Sequence, residues 1–312
     1  MLTKRICLVL GAGASQPYGL PTGEGLLKSV FDAPPEDWWP LATAIDKDRA
    51  YHDHFVDELR RSGRPSLDEF VGKLQHFKRY AKALIAFHIG QAERGANLLA
   101  RAGDWQNFLT QRIADGADLE DLDQTPISVV TFNFDRSFEE GLLVRLSSMY
   151  RREGESDSDV RARVATAIGK WEIVHVHGKL GELPELAAPG APCRPYEPSL
   201  EPRALEYAID GIKLLDDADP SSAEFARAGE LIRGADLVLF LGYAFHRLNC
   251  GRLLPKRWGP HQRPQMFGTS FHMLAGAVAK GRSYFENQGP KPELFDVDCL
   301  GLLQRIEDRF SE

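Results

Sequence analysis

The hydrophobic positions of this chain fall into four short unbroken runs separated by long mixed stretches. The runs are residues 6–10 (Ile-Cys-Leu-Val-Leu), 127–132 (Ile-Ser-Val-Val-Thr-Phe), 173–176 (Ile-Val-His-Val) and 237–241 (Leu-Val-Leu-Phe-Leu). A strand with one wet face alternates polar and apolar positions, whereas a strand covered on both faces has no need to. The runs therefore predict an α/β fold: a Rossmann-like parallel sheet with helices on both faces.

The stretch between the first two runs, residues 31–123, reads as a helical insertion. Ser66-Leu67-Asp68-Glu69 is a capping box, in which the serine hydroxyl and the glutamate carboxylate satisfy the first free N–H groups of a helix. Phe70, Leu74, Phe77, Ala81 and Leu84 follow at three- and four-residue spacing, which predicts one amphipathic helix. Trp38, Trp39, Trp105 and Phe108 are expected to anchor this layer. The acidic residues 115–123 predict a solvated turn, and residues 151–159 a polar loop before a helix at 160–168. Six prolines in residues 182–202 exclude helix and central strand, leaving a loop on the surface or over a pocket. Residues 203–234 read as two helices joined at 216–222. Residues 255–278 are rich in Gly and Pro, and a short helix closes the chain near 300–310.

Composition narrows the function classes. With 38 Lys and Arg against 45 Asp and Glu the net charge is −7, which argues against a generally basic nucleic-acid binder, and no direct nucleic-acid binding is expected. No run approaches the roughly 20 apolar residues of a membrane span. Lys4 and Arg5 precede an apolar run of only five residues, too short for a signal sequence, so that run is better read as a buried strand. Cys7, Cys193, Cys250 and Cys299 are scattered, with no C-x-x-C pair, so neither a disulfide framework nor a cysteine zinc site is signalled. A reducing, cytoplasmic setting is the expectation.

The polar residues that could do chemistry stand where these strands end. Gly11-Ala12-Gly13-Ala14-Ser15 follows the first run. Two glycines permit close backbone approach to a diphosphate, and a helix N-terminus behind them would present free N–H groups. The same glycines also suit any tight strand-to-helix turn. Gln16 replaces the third glycine of the dinucleotide fingerprint and no strand soon follows with a ribose-binding acid, which disfavours an ordinary nicotinamide dehydrogenase. Thr131-Phe132-Asn133-Phe134-Asp135 ends the second run, and extended backbone sends Thr131, Asn133 and Asp135 to one side. Helix capping by Asp135 and a backbone bond from Asn133 are the plainer roles. His175-Val176-His177-Gly178 ends the third run, with both histidines expected on one face, and histidine is the side chain best poised for proton transfer near neutral pH. No third ligand has readable spacing, so no metal is expected. Gly242-Tyr243-Ala244-Phe245 ends the fourth run, with His246, Arg247 and Asn249 behind it.

Together these motifs resemble the sirtuin family. Gly11 to Ser15 matches its glycine-alanine-glycine-x-serine turn, continued by Gly19-Leu20-Pro21. Thr131, Asn133 and Asp135 match its threonine-x-asparagine-x-aspartate motif, His177 and Gly178 its histidine-glycine, and Gly242 and Tyr243 its late glycine turn. The resemblance implies that NAD is the substrate, lying across the strand ends and losing nicotinamide. It implies that Gly11, Ala12, Gly13 and Ser15 cradle the diphosphate, with Thr131, Gly242 and Tyr243 also lining the NAD site. Asn133 would order water or ribose, Asp135 would contact the nicotinamide amide, and His177 would be the general base.

Departures from the family separate its activities. Deacylating sirtuins carry a zinc ribbon with two C-x-x-C pairs, which this chain lacks, and Thr22, Gly23 and Glu24 stand where an x-phenylalanine-arginine follows the proline. The pattern looks more like the prokaryotic NAD-consuming effectors of antiphage defence, in which the Tyr243-Ala244-Phe245 type of turn and a large helical insertion are familiar. On that resemblance residues 1–312 form a single sirtuin-like domain, and the expected activity is hydrolysis of NAD to ADP-ribose and nicotinamide. Control is expected from homo-oligomerisation or a separate partner such as a nucleic-acid-handling ATPase. Two alternatives stay open: a protein deacylase or ADP-ribosyltransferase on the same fold, and a non-catalytic subunit that senses NAD or ADP-ribose.

Overall fold

A computed structural model describes residues 2–64, 66–100, 102–214, 222–253, 258, 263–285 and 289–310. Among the described residues six parallel strands form one sheet: β1 (Ile6–Leu10), β2 (Ile127–Thr131), β3 (Glu172–His175), β4 (Leu237–Leu241), β5 (Gln265–Thr269) and β6 (Glu293–Phe295). Their order is β3-β2-β1-β4-β5-β6, the doubly wound arrangement, whose chain reverses direction across the sheet between β1 and β4. The absence of polar alternation has the expected cause. On β1, Ile6, Leu8 and Leu10 join one core while Cys7 and Val9 join another on the opposite face.

Helices cover both faces. The helical segment after β1 holds α1 (Gly23–Phe31), α2 (Trp38–Thr43), α3 (Arg49–Ser62), α4 (Leu67–Val71) and α5 (Lys78–Gly95), then α6 (Trp105–Ala114). After β2 come α7 (Ser137–Tyr150) and α8 (Asp157–Ile168), and before β4 stand α9 (Pro202–Gly211) and α10 (Ala223–Gly234). The chain closes through α11 (Arg247–Leu253), α12 (Ala275–Ser283) and α13 (Cys299–Arg305). α6, α7, α8 and α13 pack on the face of Leu8, and α10 and α11 on the face of Val9. A third core joins α1 to α5 with α9, so the helical segment divides: residues up to about α5 build their own unit, while Trp105, Leu109 and Ile113 of α6 belong to the sheet. No helix among the described residues is long and apolar enough to cross a membrane.

Several expectations need correction. Strands β5 and β6 fall in or beyond the stretch read as Gly- and Pro-rich. β5 carries Gly268 in its middle, where an added Cβ would stand 2.8 Å from Leu294 and 3.2 Å from Phe240, so close packing there needs the glycine that made the segment look like loop. The predicted amphipathic helix is two helices separated by a 3-10 turn at Gln75–Phe77, because Leu74 (φ −125°, ψ 68°) leaves helical geometry; Phe70, Phe77, Ala81 and Leu84 still share one core. Ser66 Oγ does accept from the Glu69 amide at 3.2 Å, but the Glu69 carboxylate faces His246 Nε2 at 3.7 Å. The acidic 115–123 stretch contains a 3-10 turn, Leu119–Gln124, whose Leu119 and Leu122 are buried. The joining segment at 216–222 lies outside the described residues except for Ser222, which caps α10.

Register fixes what matters for function. Leu10 pairs with both Thr131 and Leu241, and Thr131 pairs with His175. The four motif-bearing strands thus end level, and the residues after them share one edge of the sheet.

Candidate functional site

The first structure at this edge is a joint between two turns. Gly11 N–H donates to Leu241 O at 3.0 Å and Gly13 N–H to Gly242 O at 3.1 Å. A Cβ on Gly11 would stand 2.5 Å from Gly242 O, and one on Gly13 would stand 2.9 Å from Gly242 Cα. Gly242 itself has φ 58°, a left-handed conformation that disfavours any side chain. Thr269, at the end of β5, fixes this turn by accepting the Gly242 N–H at 2.9 Å.

The space freed by the glycines is therefore filled by the neighbouring turn. The expected helix N-terminus is also absent, because the chain makes two short 3-10 turns (Ala12–Ala14 and Gln16–Tyr18) and α1 starts only at Gly23, capped by Thr22. Ala14 N–H donates to Gly11 O at 2.9 Å and Ser15 N–H to Ala12 O at 3.2 Å. Among the described residues only the Ala12 amide of this turn is left without a protein acceptor. Trp105 ties the turn from beneath, its Nε1–H donating to Ala14 O at 2.7 Å.

The second structure is a buried polar network built on Asn133. The expected alternation holds for Asn133 and Asp135, which turn toward Ser15, while Phe132 packs on Tyr243 (ring centroids 4.9 Å apart) and Phe134 joins the core of the helical unit. Thr131 Oγ1 accepts the Asn133 N–H at 3.1 Å, so its hydroxyl works within its own loop. Asn133 Nδ2 donates both hydrogens, to Gly11 O and to Ser15 Oγ, each at 3.1 Å. That uses up the donors and fixes the amide's orientation, leaving Oδ1 buried with no partner.

Asp135 Oδ1 accepts from the Ser137 N–H and Ser15 Oγ, both at 3.1 Å, and from Ser137 Oγ. Burial pushes the Asp135 carboxyl up, the bonds from Ser137 work against that, and Glu139 adds to it. The plainer roles are thus met in part, since Asp135 accepts the first amide of α7 from one residue before the N-cap Arg136 and Asn133 bonds to backbone, yet each keeps one oxygen outside those bonds.

The histidines do not share a face. β3 ends at His175, and the turn that follows breaks the two-residue period. His175 bonds to Asn133 O and Glu139 on the side of α7, whereas His177 packs edge-on to Phe132 (5.6 Å) and Phe225 (5.8 Å) on the other side. His177 Nε2 donates to Asn249 Oδ1 over a long 3.4 Å, which places the lone pair on Nδ1, and that atom is buried without a partner. Burial lowers the His177 pKa to about 4; Asn249 opposes the shift and the nearby Arg252 and His246 add to it. The ring is therefore neutral at pH 7. Among the described residues no three His, Cys, Asp or Glu are grouped to hold a metal ion.

Tyr243 is brought to the edge by its backbone alone. Its ring is buried among Phe132, Phe240 and Phe245, and its hydroxyl lies 3.9 Å from Cys250 Sγ. The proline-rich loop is a fixed wall. The buried Arg136 pairs with Glu93 of α5 and donates to Arg194 O at 2.7 Å and Pro195 O at 2.9 Å, and Arg194 in turn donates to Leu180 O and Ser199 O.

Ser137 and Thr269 take part here without having been singled out in the sequence, while Trp105, expected as an anchor of the helical layer, and Asn249, named in the polar run after Phe245, serve the edge itself. Ser137 alone was within reach of a pattern, since it extends the two-residue spacing from Thr131 through Asn133 and Asp135. No family model matches the chain, and no curated protein is a significant match to it.

Proposed function

We propose that the chain is a sirtuin-like NAD glycohydrolase that splits NAD into ADP-ribose and nicotinamide. The observation that carries this reading is the pair of buried, unpartnered acceptors, Asn133 Oδ1 and His177 Nδ1, on loops that leave adjacent strands at the same level. A buried acceptor without a donor costs about 1–3 kcal/mol, so two at one edge favour a ligand with O–H groups, such as water or a ribose diol.

The chemistry follows from these atoms. Loss of nicotinamide breaks the bond from ribose C1′ to the ring nitrogen, and the bonding electrons leave with the now neutral nicotinamide. The ribose left behind is oxocarbenium-like, and the oriented dipoles of Asn133 and the buried Asp135 carboxyl favour that positive charge. Water then bonds to C1′ and gives its proton to neutral His177 Nδ1, while Asn133 Oδ1 accepts from a ribose hydroxyl. Asp135 Oδ2, which takes none of the bonds to Ser15 and Ser137, is free to accept the carboxamide N–H, and the Ala12 amide to donate to a phosphate oxygen. The glycine turn contributes that single amide here; Gly11, Gly13 and Gly242 act by shaping the edge.

A freely active NAD hydrolase would exhaust its own cell, which supports an off state released by self-assembly or by a partner, as in a cytoplasmic antiphage effector. The test is nicotinamide release from NAD by the purified chain across a range of protein concentrations. Release abolished by His177→Ala and by Asn133→Ala supports the reading. Turnover only with an acylated peptide would replace it with deacylation, and tight binding of NAD or ADP-ribose without turnover would replace it with a sensing role.

A further inference from the structure

Asn133 is held at three points: its N–H by Thr131, its side-chain amide by Gly11 and Ser15, and its main-chain oxygen by a residue the proposed reaction does not use. That residue is His175, buried at the end of β3. Its Nδ1 lies 3.0 Å from Asn133 O and its Nε2 lies 2.8 Å from Glu139 Oε1. A carbonyl oxygen and a carboxylate oxygen only accept, so the ring acts on both as a donor. Burial works against charge on Glu139, yet His175 and then Lys179, whose Nζ is 3.7 Å away, hold its pKa down to about 2. The carboxylate is therefore a fixed, ionised post for the ring. Glu139 lies on α7, two residues beyond Ser137 and four beyond Asp135, so the post stands on the helix that also carries Ser137.

We infer that His175 is a positioning residue: braced by Glu139, it pins the Asn133 main-chain carbonyl and so fixes the direction in which Asn133 Oδ1 faces the substrate. Without the His175 donor the peptide after Asn133 is free to rotate. The side-chain bonds to Gly11 and Ser15 then no longer define one direction for Oδ1. Misplacing an orienting group by about 1 Å costs on the order of 100-fold in rate, while binding of the remainder of the substrate is left largely intact. This inference rests on Asn133 acting as the orienting group in NAD cleavage, but the placement of Asn133 itself is open to a measurement that does not involve NAD.

The experiment uses the full-length chain labelled with 15N and three variants. His175→Phe fills the ring's volume without donors, His175→Gln keeps one donor, and Glu139→Gln leaves His175 in place but weakens its brace. The first readout is water exchange of the Asn133 side-chain amide protons. We expect slow exchange in the wild type, exchange at least about tenfold faster in His175→Phe, and a return toward wild type in His175→Gln. The second is nicotinamide release, where His175→Phe should lower kcat about 100-fold with KM changed less than about threefold, and Glu139→Gln should lower it less. If His175→Phe fails to fold, Glu139→Gln decides through the same readouts. Unchanged amide exchange would overturn the inference. So would undiminished kcat in an enzyme that His177→Ala inactivates. Faster amide exchange in a protein that never turns over NAD would uphold the positioning role and refute the NAD reading alone.

Discussion

Two neighbouring regions at the same sheet edge are built in opposite ways. At the joint of Gly11, Gly13 and Gly242 the amides of both glycines of the first turn are satisfied and the space beside each Cα is filled by the facing turn. Asn133 and His177 spend their donors on Gly11, Ser15 and Asn249, and each is left with one buried acceptor, an oxygen on the first and a nitrogen on the second. The first region is closed and serves the fold. The second is polar and buried and keeps two acceptors unpaired, and it is these two atoms on which the proposed NAD chemistry rests.

The contrast breaks if the glycine joint tolerates a side chain. Gly242→Ala should cost about 4 kcal/mol, from left-handed strain and from collision with Gly13 and Ala14, and should lower the urea midpoint and any activity together. In the open region the effects should separate. His177→Ala should lower nicotinamide release about 1000-fold while lowering the urea midpoint only in proportion to the lost packing on Phe132 and Phe225, since the ring donates a single long bond. Asn133→Ala should do both: about 100-fold in rate, and about 1–2 kcal/mol in stability because Gly11 O and Ser15 Oγ each lose one donor. Trp105→Phe, which removes the bond to Ala14 O beneath the turn and shrinks a buried ring stacked on Phe138, should cost about 2 kcal/mol with no separate loss of rate.

The last prediction concerns pH. His88 in α5 is buried with both ring nitrogens unpartnered, and burial lowers its pKa from 6.5 to about 4, as it does for His177. Both rings are held neutral by the fold, so the unfolded chain binds more protons. Their contribution to stability is complete above pH 6.5 and is lost as pH falls toward about 4. Urea midpoints measured down this range should fall, and His88→Leu should make the decline shallower. The acid limb of kcat/KM should lie nearer pH 4 than 6.5, since His177 stays unprotonated down to that range.

Much of this was legible in the sequence, for reasons that also explain what was not. Buried strands such as β1 and β4 announce themselves because helices on both faces require apolar residues at every position. β5 and β6 do not: one needs a glycine in its middle, and the other is three residues long at the sheet's edge. Motif positions were readable because strand ends in a parallel sheet collect function, but the use of each residue depended on what lay opposite. Gly11 and Gly13 face another turn, and His175 and His177 point apart because the strand ends between them. Nothing local marks Thr269, and the polar run that holds Asn249 of α11 does not say that His177 is its partner, because both roles come from elements joined only by the fold.

The measurement that bears most directly on the central claim is nicotinamide release from NAD by the purified chain, set beside the His177→Ala and Asn133→Ala variants at matched concentration and assembly state. The account predicts release by the wild type, loss of nearly all of it in both variants, and a folded His177→Ala protein by urea titration. Undiminished release by both variants, or no release by the wild type in any assembly state, would contradict it.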